Sequence, residues 1–398
     1  MFKGAIRYYL NSYKGLSKEL WLLAFVNLIN RCGTMVVPFL SLYLTTKLGY
    51  SIQQAGFVAG LYGVGAMLGS LVGGYFTDVT GFRKVQIYTL FFGGILFLVL
   101  GQLKVYWMIA VCNFTLGMIN EAFRPANSAA MATYSTDENR IRSFTLMRLS
   151  FNLGWAIGAG LAGFLAHISY QYLFWVDGIT NILSAVAIIY FLPDVKQENK
   201  LTVHKNPLKG IFQVFKDLDF TRFTLISVLY LSCFCQLFSN LPVYFKQVLK
   251  LNESQIGILS SWNGLMIVFI EMTVIFWIEK NWSRQRAVTI GVLMHVIAYL
   301  TAVVFHLDFF GAWVMMSFIT LAEMFSFSVL FNYWVSRTTD STRGQYAGIW
   351  TMTWAFSSSL GPFGGSWIAE QYGFTVLWSI VAGISLTAAF LYNRLITD

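Results

Sequence analysis

The sequence predicts an all-α polytopic membrane protein of twelve transmembrane helices arranged as two six-helix bundles. Of its 398 residues 57% are hydrophobic and only 11% are charged, with a mean hydropathy of +0.61. A water-soluble domain carries roughly 25% charged residues, so this chain has too little polar surface to cover itself. Stretches without Asp, Glu, Lys or Arg recur at 48–77, 85–103, 149–176, 223–245, 287–307, 344–369 and 371–393, and about 20 apolar residues suffice to cross the hydrocarbon layer as a helix. These stretches are apolar on every face, whereas the strands of a membrane barrel run about 10 residues and alternate in polarity.

Divided at turn signals and charges, the chain gives spans at 20–46, 52–77, 85–103, 105–133, 142–168, 171–193, 223–249, 255–279, 287–307, 309–336, 344–369 and 374–393. The number is even, so both termini share a side. With that side cytoplasmic, twenty of the 27 Lys and Arg residues lie inside, Lys47, Lys104, Lys246 and Lys250 lie outside, and Arg31, Arg124 and Arg148 fall within spans. The positive-inside rule then orients an integral protein of the cell (inner) membrane with both termini cytoplasmic. Loop cations facing anionic lipid account for the net charge of +9, so the basic balance calls for no nucleic acid. Residues 1–18 lack the apolar core of a cleavable signal. Lys3, Arg7, Lys14 and Lys18 among Phe2, Ile6, Tyr8, Tyr9 and Leu10 read as a short amphipathic surface helix or as a solvated tail.

The longest hydrophilic stretch, Asp194 to Arg222, sits near the middle of the chain. It divides an N-terminal bundle (1–193) and a cytoplasmic linker (194–222) from a C-terminal bundle (223–398). The halves repeat. At a shift of 203 residues Asp137, Arg140 and Gly158 fall on Asp340, Arg343 and Gly361; at 201, Gln54, Gly56 and Gly63 fall on Gln255, Gly257 and Gly264. In transporters such repeats enclose a substrate site near the bilayer midplane.

Local signals place further elements. Ser51 to Gln54 and Asn252 to Gln255 have the form of capping boxes at the outer ends of spans 2 and 8. Gly65, Gly69 and Gly73, four apart, leave one face of span 2 without side chains, where another helix can approach closely. Cys32, Cys112, Cys233 and Cys235 lie in apolar spans without metal-ligand spacing and read as small core residues. No phosphate-cradling loop of the GxxxxGK[ST] form occurs, so the chain supplies no nucleotide-hydrolysing motif.

Charge inside the spans is the main functional signal. A charged side chain at mid-span costs about 2.5–3.5 kcal/mol or more, which disfavours unpaired charges facing lipid. Seven occur: Arg31, Glu121, Arg124, Arg148, Asp177, Glu271 and Glu323. Asn27 and Arg31, Asn120 and Arg124, and Arg148 and Asn152 are each four apart, so spans 1, 4 and 5 can each turn one polar stripe to a common cavity. The cations belong to the first half, while the second contributes Glu271 and Glu323. Such a polarised cavity could seat a zwitterion, its carboxylate toward Arg31 or Arg124 and its amine toward Glu323 or Glu271. Glu121 and Arg124, three apart, could instead neutralise each other. Asp177 reads as structural, and His295 in span 9 as a packed histidine.

The loop after span 2 reads Gly73-Gly74-Tyr75-Phe76-Thr77-Asp78-Val79-Thr80-Gly81-Phe82-Arg83-Lys84. Here the chain resembles, over its whole length, the major facilitator superfamily, whose pattern is similar to G-x-x-x-D-R-x-G-R-R. Gly74, Asp78, Gly81 and Arg83 match, while Val79 and Phe82 replace cations. The resemblance implies that Asp78 helps latch the halves in an outward-open state; ordinary packing of the stripe and a solvated Asp78 are the alternative. Arg148 to Gly163 resembles the G-x-x-x-G-P-x-x-G-G motif of the family's antiporters, with Ala159 at the proline position and Ala162 for a glycine; Ser357 to Gly365 carries the fuller form, with Gly361-Pro362. These helices make Gly73, Gly74, Asp78, Gly81, Arg83, Gly158, Gly361 and Pro362 the expected gating set.

Thr320-Leu321-Ala322-Glu323 resembles the helix-10 Thr-Leu-Gly-Glu element of drug:proton antiporters. The resemblance implies a non-enzymatic secondary transporter working by alternating access, coupled to protons through Glu323 with Glu271 or Glu121, and exporting small amphipathic or drug-like solutes. Its only partners would be a small-molecule substrate, protons and the bilayer, it would act as a monomer, and the proton gradient would stand in place of any cofactor. Tyr62, Trp262, Trp350 and Trp354 would line the cavity and offer ring faces to flat or cationic ligands; Asn30 and Asn263 complete the expected substrate set. The rival expectation is proton-coupled uptake of short peptides: Asn27-Leu28-Ile29-Asn30-Arg31 is similar to the E-x-x-E-R element of peptide symporters, with Asn at both glutamate positions.

Overall fold

The computed structural model describes residues 15–136, 138–193, 214–338 and 343–396. The expected amphipathic segment before Gly15, Asp137, Asp340 and most of the linker lie outside the described residues. Every regular element among the described residues is helical. In chain order they are α1 Lys18–Cys32, α2 Val36–Thr46, α3 Ile52–Thr80, α4 Phe82–Leu100, α5 Tyr106–Tyr134, α6 Arg140–Ile168 and α7 Gln171–Phe191. After the linker come α8 Leu218–Phe234, a 3-10 turn Cys235–Phe238, α9 Asn240–Gln247, α10 Glu253–Asn281, α11 Arg284–Val304, α12 Phe309–Ser336, α13 Arg343–Tyr372 and α14 Phe374–Leu395. Among the described residues, ten stretches are long and apolar enough to cross a membrane. Two further expected spans, α5 and α13, are 29 and 30 residues long but more polar.

The helix ends follow local chemistry. Both capping boxes form, Ser51 with Gln54 and Asn252 with Gln255. Gly81, at φ 88°, adopts a conformation that a side chain would strain and turns α3 directly into α4. Arg83 then donates to the carbonyls of Ile189 at 2.8 Å and Leu192 at 3.1 Å, a cation satisfying the last acceptors of α7. On α8, Asp217 accepts from the Phe220 N–H at 3.1 Å and from Arg337 at 2.9 and 3.0 Å. Burial would raise the Asp217 carboxyl, but the Phe220 N–H and the Arg337 guanidinium outweigh it and hold it below the usual range.

The spans expected as continuous helices at 20–46 and 223–249 are each broken. Between α1 and α2 the chain leaves the helix at Gly33 to Met35. The fully buried carboxylate of Asp177 on α7 accepts from the backbone N–H groups of Met35 (2.9 and 3.0 Å) and Val36 (2.8 Å), capping α2 from a neighbouring helix. Asp177 is thus structural. In the second half the break is the 3-10 turn before α9, where Asn240 donates to Gln236 at 2.6 Å and Gln236 to the Gly361 carbonyl at 2.9 Å. Pro38 and Pro242 both stand in the first turn after the break, where a missing N–H costs no helical bond.

Two groups of helices pack internally in one pattern. In the first, α3 packs on α5, α4 on α5 and α7, and α1 on α6 and α7; in the second, α10 on α12, α11 on α12 and α14, and α8 on α13 and α14. Between the groups, α3 meets α13, α6 meets α10, and α2 meets α9, a pseudo-twofold arrangement. His295 is wholly buried in the second group, hydrogen-bonded to Ser385 at 3.0 Å and ringed by Tyr230, Phe234 and Tyr299, a packed histidine.

The glycine stripe of α3 lies against α5 inside the first group. A Cβ on Gly65 or Gly69 would strike the carbonyl oxygens of Phe114 or Met118, and one on Gly73 would come 2.5 Å from Ala122 Cα; beside Gly74 nothing lies within 4 Å. Gly73→Leu is therefore expected to destabilise the purified protein by at least ~1–3 kcal/mol, and Gly74→Leu by no more than ~0.5 kcal/mol. Thermal unfolding in detergent compares the two directly, and equal midpoints would remove the stripe from the packing account.

Candidate substrate cavity between the helix groups

Along α3 and α13 the groups touch only over one end. A Cβ on Gly56 would strike Ser366, one on Gly60 would lie 3.0 Å from the Phe363 ring, and one on Gly63 would lie 2.8 Å from the Ser359 backbone N. Further along, Gly74 and Gly348 have nothing within 4 Å of a Cβ position. The symmetry-related pair behaves alike: a Cβ on Gly163 would lie 2.5 Å from Gly257 Cα, one on Gly264 would lie 2.7 Å from Ala156 Cβ, and Ser261 donates to the Ala156 carbonyl at 2.8 Å. Small residues allow these backbones to touch, as they do wherever membrane helices pack closely.

The closed end lies away from the chain termini. It is reinforced where Glu253, the first residue of α10, accepts from Lys246 at 2.8 Å and from Tyr170 of the other group at 3.0 Å, with His167 of that group 3.7 Å away. Glu370 of α13 accepts from the Gln53 N–H of α3 at 3.0 Å. The cleft opens toward the termini, the end where exposed Asp78 stands without an ion-pair partner among the described residues.

Inside the cleft a cavity of about 180 Å³ is walled by both groups. Tyr62, Ala66, Glu121 and Arg124 face it from one side, and Phe238, Trp354 and Pro362 from the other. Trp354 is braced edge-on by Phe327 at 5.4 Å. The other two tryptophans expected here are engaged elsewhere: Trp350 stacks on Phe223 at 5.7 Å, and Trp262 donates to Ser317 at 2.9 Å and packs on Trp313.

The charges pair in an order that spacing alone left open. Glu121 and Arg124 bond at 3.1 Å while lining the cavity. Arg148 of α6 pairs with the buried Glu271 of α10, an ion pair joining the two groups. Glu323 on α12 is half-buried, accepts from Asn263 at 3.3 Å, and lies within electrostatic reach of Glu271 and Arg148. Asn263 also donates to Thr320 at 3.0 Å. Asn27, Arg31, Arg124 and Arg148 line a second cavity, of about 250 Å³, with Asn127 and Ser128. Asn30 instead donates to Asn181 at 3.0 Å, and Asn152 is half-buried one turn beyond Arg148. Gly158 faces the Cys32 carbonyl of α1 and Gly361 the Ser232 carbonyl of α8, equivalent contacts within their own groups.

Sequence reasoning missed the Arg148–Glu271 pairing and the outer Glu253 cluster, since contacts between distant helices leave no local pattern. The helix breaks did leave a signal in Pro38 and Pro242, at matching places in the repeat.

An all-helical fold with ten apolar spans, internal pseudosymmetry and a cleft between its halves defines a membrane transporter architecture. The family model of the Major Facilitator Superfamily matches residues 20–362, and the chain belongs to that family. It is 22% identical to a Na(+), Li(+), K(+)/H(+) antiporter of Planococcus maritimus, covering 92% of each chain. It is 21% identical to the multidrug resistance protein MdtH of Yersinia pestis, over 88% of this chain and 86% of that protein. A crystal structure of a POT family transporter in complex with 5-aminolevulinic acid superposes with a TM-score of 0.80 at 14% identity, over 95% of this chain and 96% of that one.

A leucine at Gly257 is expected to wedge α10 from α6 and open the closed end. With the native cysteines replaced, a cysteine at Ser358 should then react several-fold faster with an impermeant thiol reagent applied from the side opposite the termini. Unchanged reactivity would show that the Gly163–Gly257 crossing does not form the seal.

Proposed function

We propose that this chain is a proton-coupled secondary transporter working by alternating access, most simply an antiporter exporting small amphipathic or drug-like solutes. Twelve spans form two bundles, 1–193 and 223–398, joined by a cytoplasmic linker. With the termini in the cytoplasm the cleft described above is inward-open, and Asp78 stands ready to engage when that side closes. The observation that carries the reading is the placement of Glu323: a half-buried carboxylate beside the cleft, held by neutral Asn263 rather than by a cation of its own. A carboxylate in that setting can take a proton from the open side and surrender it after the cleft reverses. Glu271 and Glu121 each have an arginine partner and are less available for exchange. The aromatic walls from Tyr62, Phe238 and Trp354 suit an amphipathic body, the antiporter relative agrees with antiport, and the multidrug resistance relative with drug-like solutes. The second reading, proton-coupled uptake of a short peptide or other zwitterion, is favoured by one observation: Arg31 has no carboxylate partner among the described residues.

Glu323→Gln fixes a neutral side chain in place. Exchange of substrate across the membrane should stay within about threefold of wild type, while uphill accumulation driven by a pH gradient in proteoliposomes should fall by at least about tenfold. Wild-type uphill transport would move coupling to another acid; loss of exchange as well would make Glu323 a substrate ligand. For topology, cysteines replacing Lys205 and Asn252 should react with an impermeant reagent from opposite faces of sealed vesicles. Equal labelling of the two would overturn the twelve-span arrangement.

A further inference from the structure

The cleft holds three arginines and three glutamates, yet they do not pair off completely. Arg124 pairs with Glu121 and Arg148 with Glu271. Asp177 is committed to the Met35 and Val36 N–H groups. Arg31 is left. Its guanidinium lies over the Phe151 ring at 4.4 Å, and its Nε is buried with no hydrogen-bond partner among the described residues. A buried guanidinium nitrogen without an acceptor forfeits the charge-assisted hydrogen bonds that its planar fork is built to make. The cavity it borders, about 250 Å³, presents Asn27, Asn127, Ser128, Arg124 and Arg148 as its other polar groups, and no carboxylate lines it. Arg124 lines this cavity and the central one, so its side chain forms a wall common to the two.

We propose that this basic cavity is the seat for the carboxylate of the transported solute, bound on Arg31 with Arg124 and Asn27 beside it. The apolar body would extend into the central cavity against Tyr62 and Trp354. The substrate class is then an amphipathic organic acid, with or without an amine, rather than a plain lipophilic cation. The inference rests on reading the cleft as a transport site and holds for either direction of transport. Arg31 is the specificity determinant: the paired arginines already have partners, a cationic head offers its Nε no acceptor, and a neutral amide offers only an uncharged one.

The test uses the full chain in lipid nanodiscs and three matched probes: naphthaleneacetate, its neutral amide, and naphthylmethylammonium. Calorimetry should rank the carboxylate at least about tenfold tighter than the amide, with the ammonium weakest. Arg31→Gln should erase the preference while leaving amide affinity within about threefold, and Arg31→Lys should retain its sign. Equal or tighter binding of the amide or the ammonium by the native protein overturns the proposal, as does an undiminished carboxylate preference in Arg31→Gln or failure of all three probes to bind. Should Arg31→Gln not fold, the native ranking and Arg31→Lys still decide. Binding needs no gradient, so this result stands apart from the Glu323→Gln flux measurement: either can fail while the other holds.

Discussion

The structure depends on one constraint: hydrocarbon offers no hydrogen bonds, so polar groups within a span must be met inside the protein. The break between α1 and α2 exposes backbone N–H groups that water would satisfy in a soluble protein. Here a carboxylate from α7 is buried to do it, and Asp177 in turn fixes how α7 sits on the first span. In the second half the amides of Gln236 and Asn240 instead tie the broken span to the Gly361 carbonyl on α13. Each break therefore locks a helix pair, and the internal rigidity of each group follows from polar satisfaction as much as from apolar packing.

Between the groups the balance differs. The α3–α13 and α6–α10 crossings are lined by Gly, Ala and Ser at the closed end, where attraction comes from many close contacts of low individual strength. Such surfaces can separate at the cost of few polar contacts, chiefly the Ser261 bond to the Ala156 carbonyl and the Tyr170 bond to Glu253. Past Gly63 on α3 and Ala156 on α6 the helices diverge, and the contact that bridges them is an ion pair, Arg148 with Glu271. Small residues thus form a fulcrum and charged ones sit beyond it. A rocking motion about the fulcrum would change the distance between Arg148 and Glu271 more than the contacts at the pivot, which gives the electrostatics of the cleft leverage over conformation.

Much of the fold was legible because membrane spans announce themselves through length and apolarity, and the repeat through paired glycines and glutamines. The capping boxes and the close-packed face of α3 were readable for the same reason: both are local patterns of residue type. The polar stripes of α1 and α5 were readable from fourfold spacing, and Asn27, Arg31, Arg124 and Arg148 do meet at one cavity. Two things were not legible. Spacing offers Glu121 to Arg124 but says nothing of Arg148 and Glu271, 123 residues apart, whose meeting depends on how the halves dock. The aromatic residues divided for a similar reason: Trp350 and Trp354 are one turn apart on α13, yet one stacks into the second group and the other faces the cavity.

Under the proposed proton coupling, the direction of coupling would follow from which unpaired group the substrate answers. Among the cleft charges only Arg31 and Glu323 lack a partner of opposite sign at ion-pair distance among the described residues. They lie on different helix groups, α1 and α12. A solute carrying a cation at Glu323 competes with the proton for one carboxylate, so the two must alternate, and exchange results. A solute carrying an anion at Arg31 meets a cleft whose net charge is most positive when Glu323 is protonated, so proton and anion favour each other and travel together. A zwitterion spanning both would displace the proton at one end while satisfying Arg31 at the other. Under the proposed coupling the same six side chains would support antiport or symport, and the charge on the solute, rather than any rearrangement of the fold, would select between them.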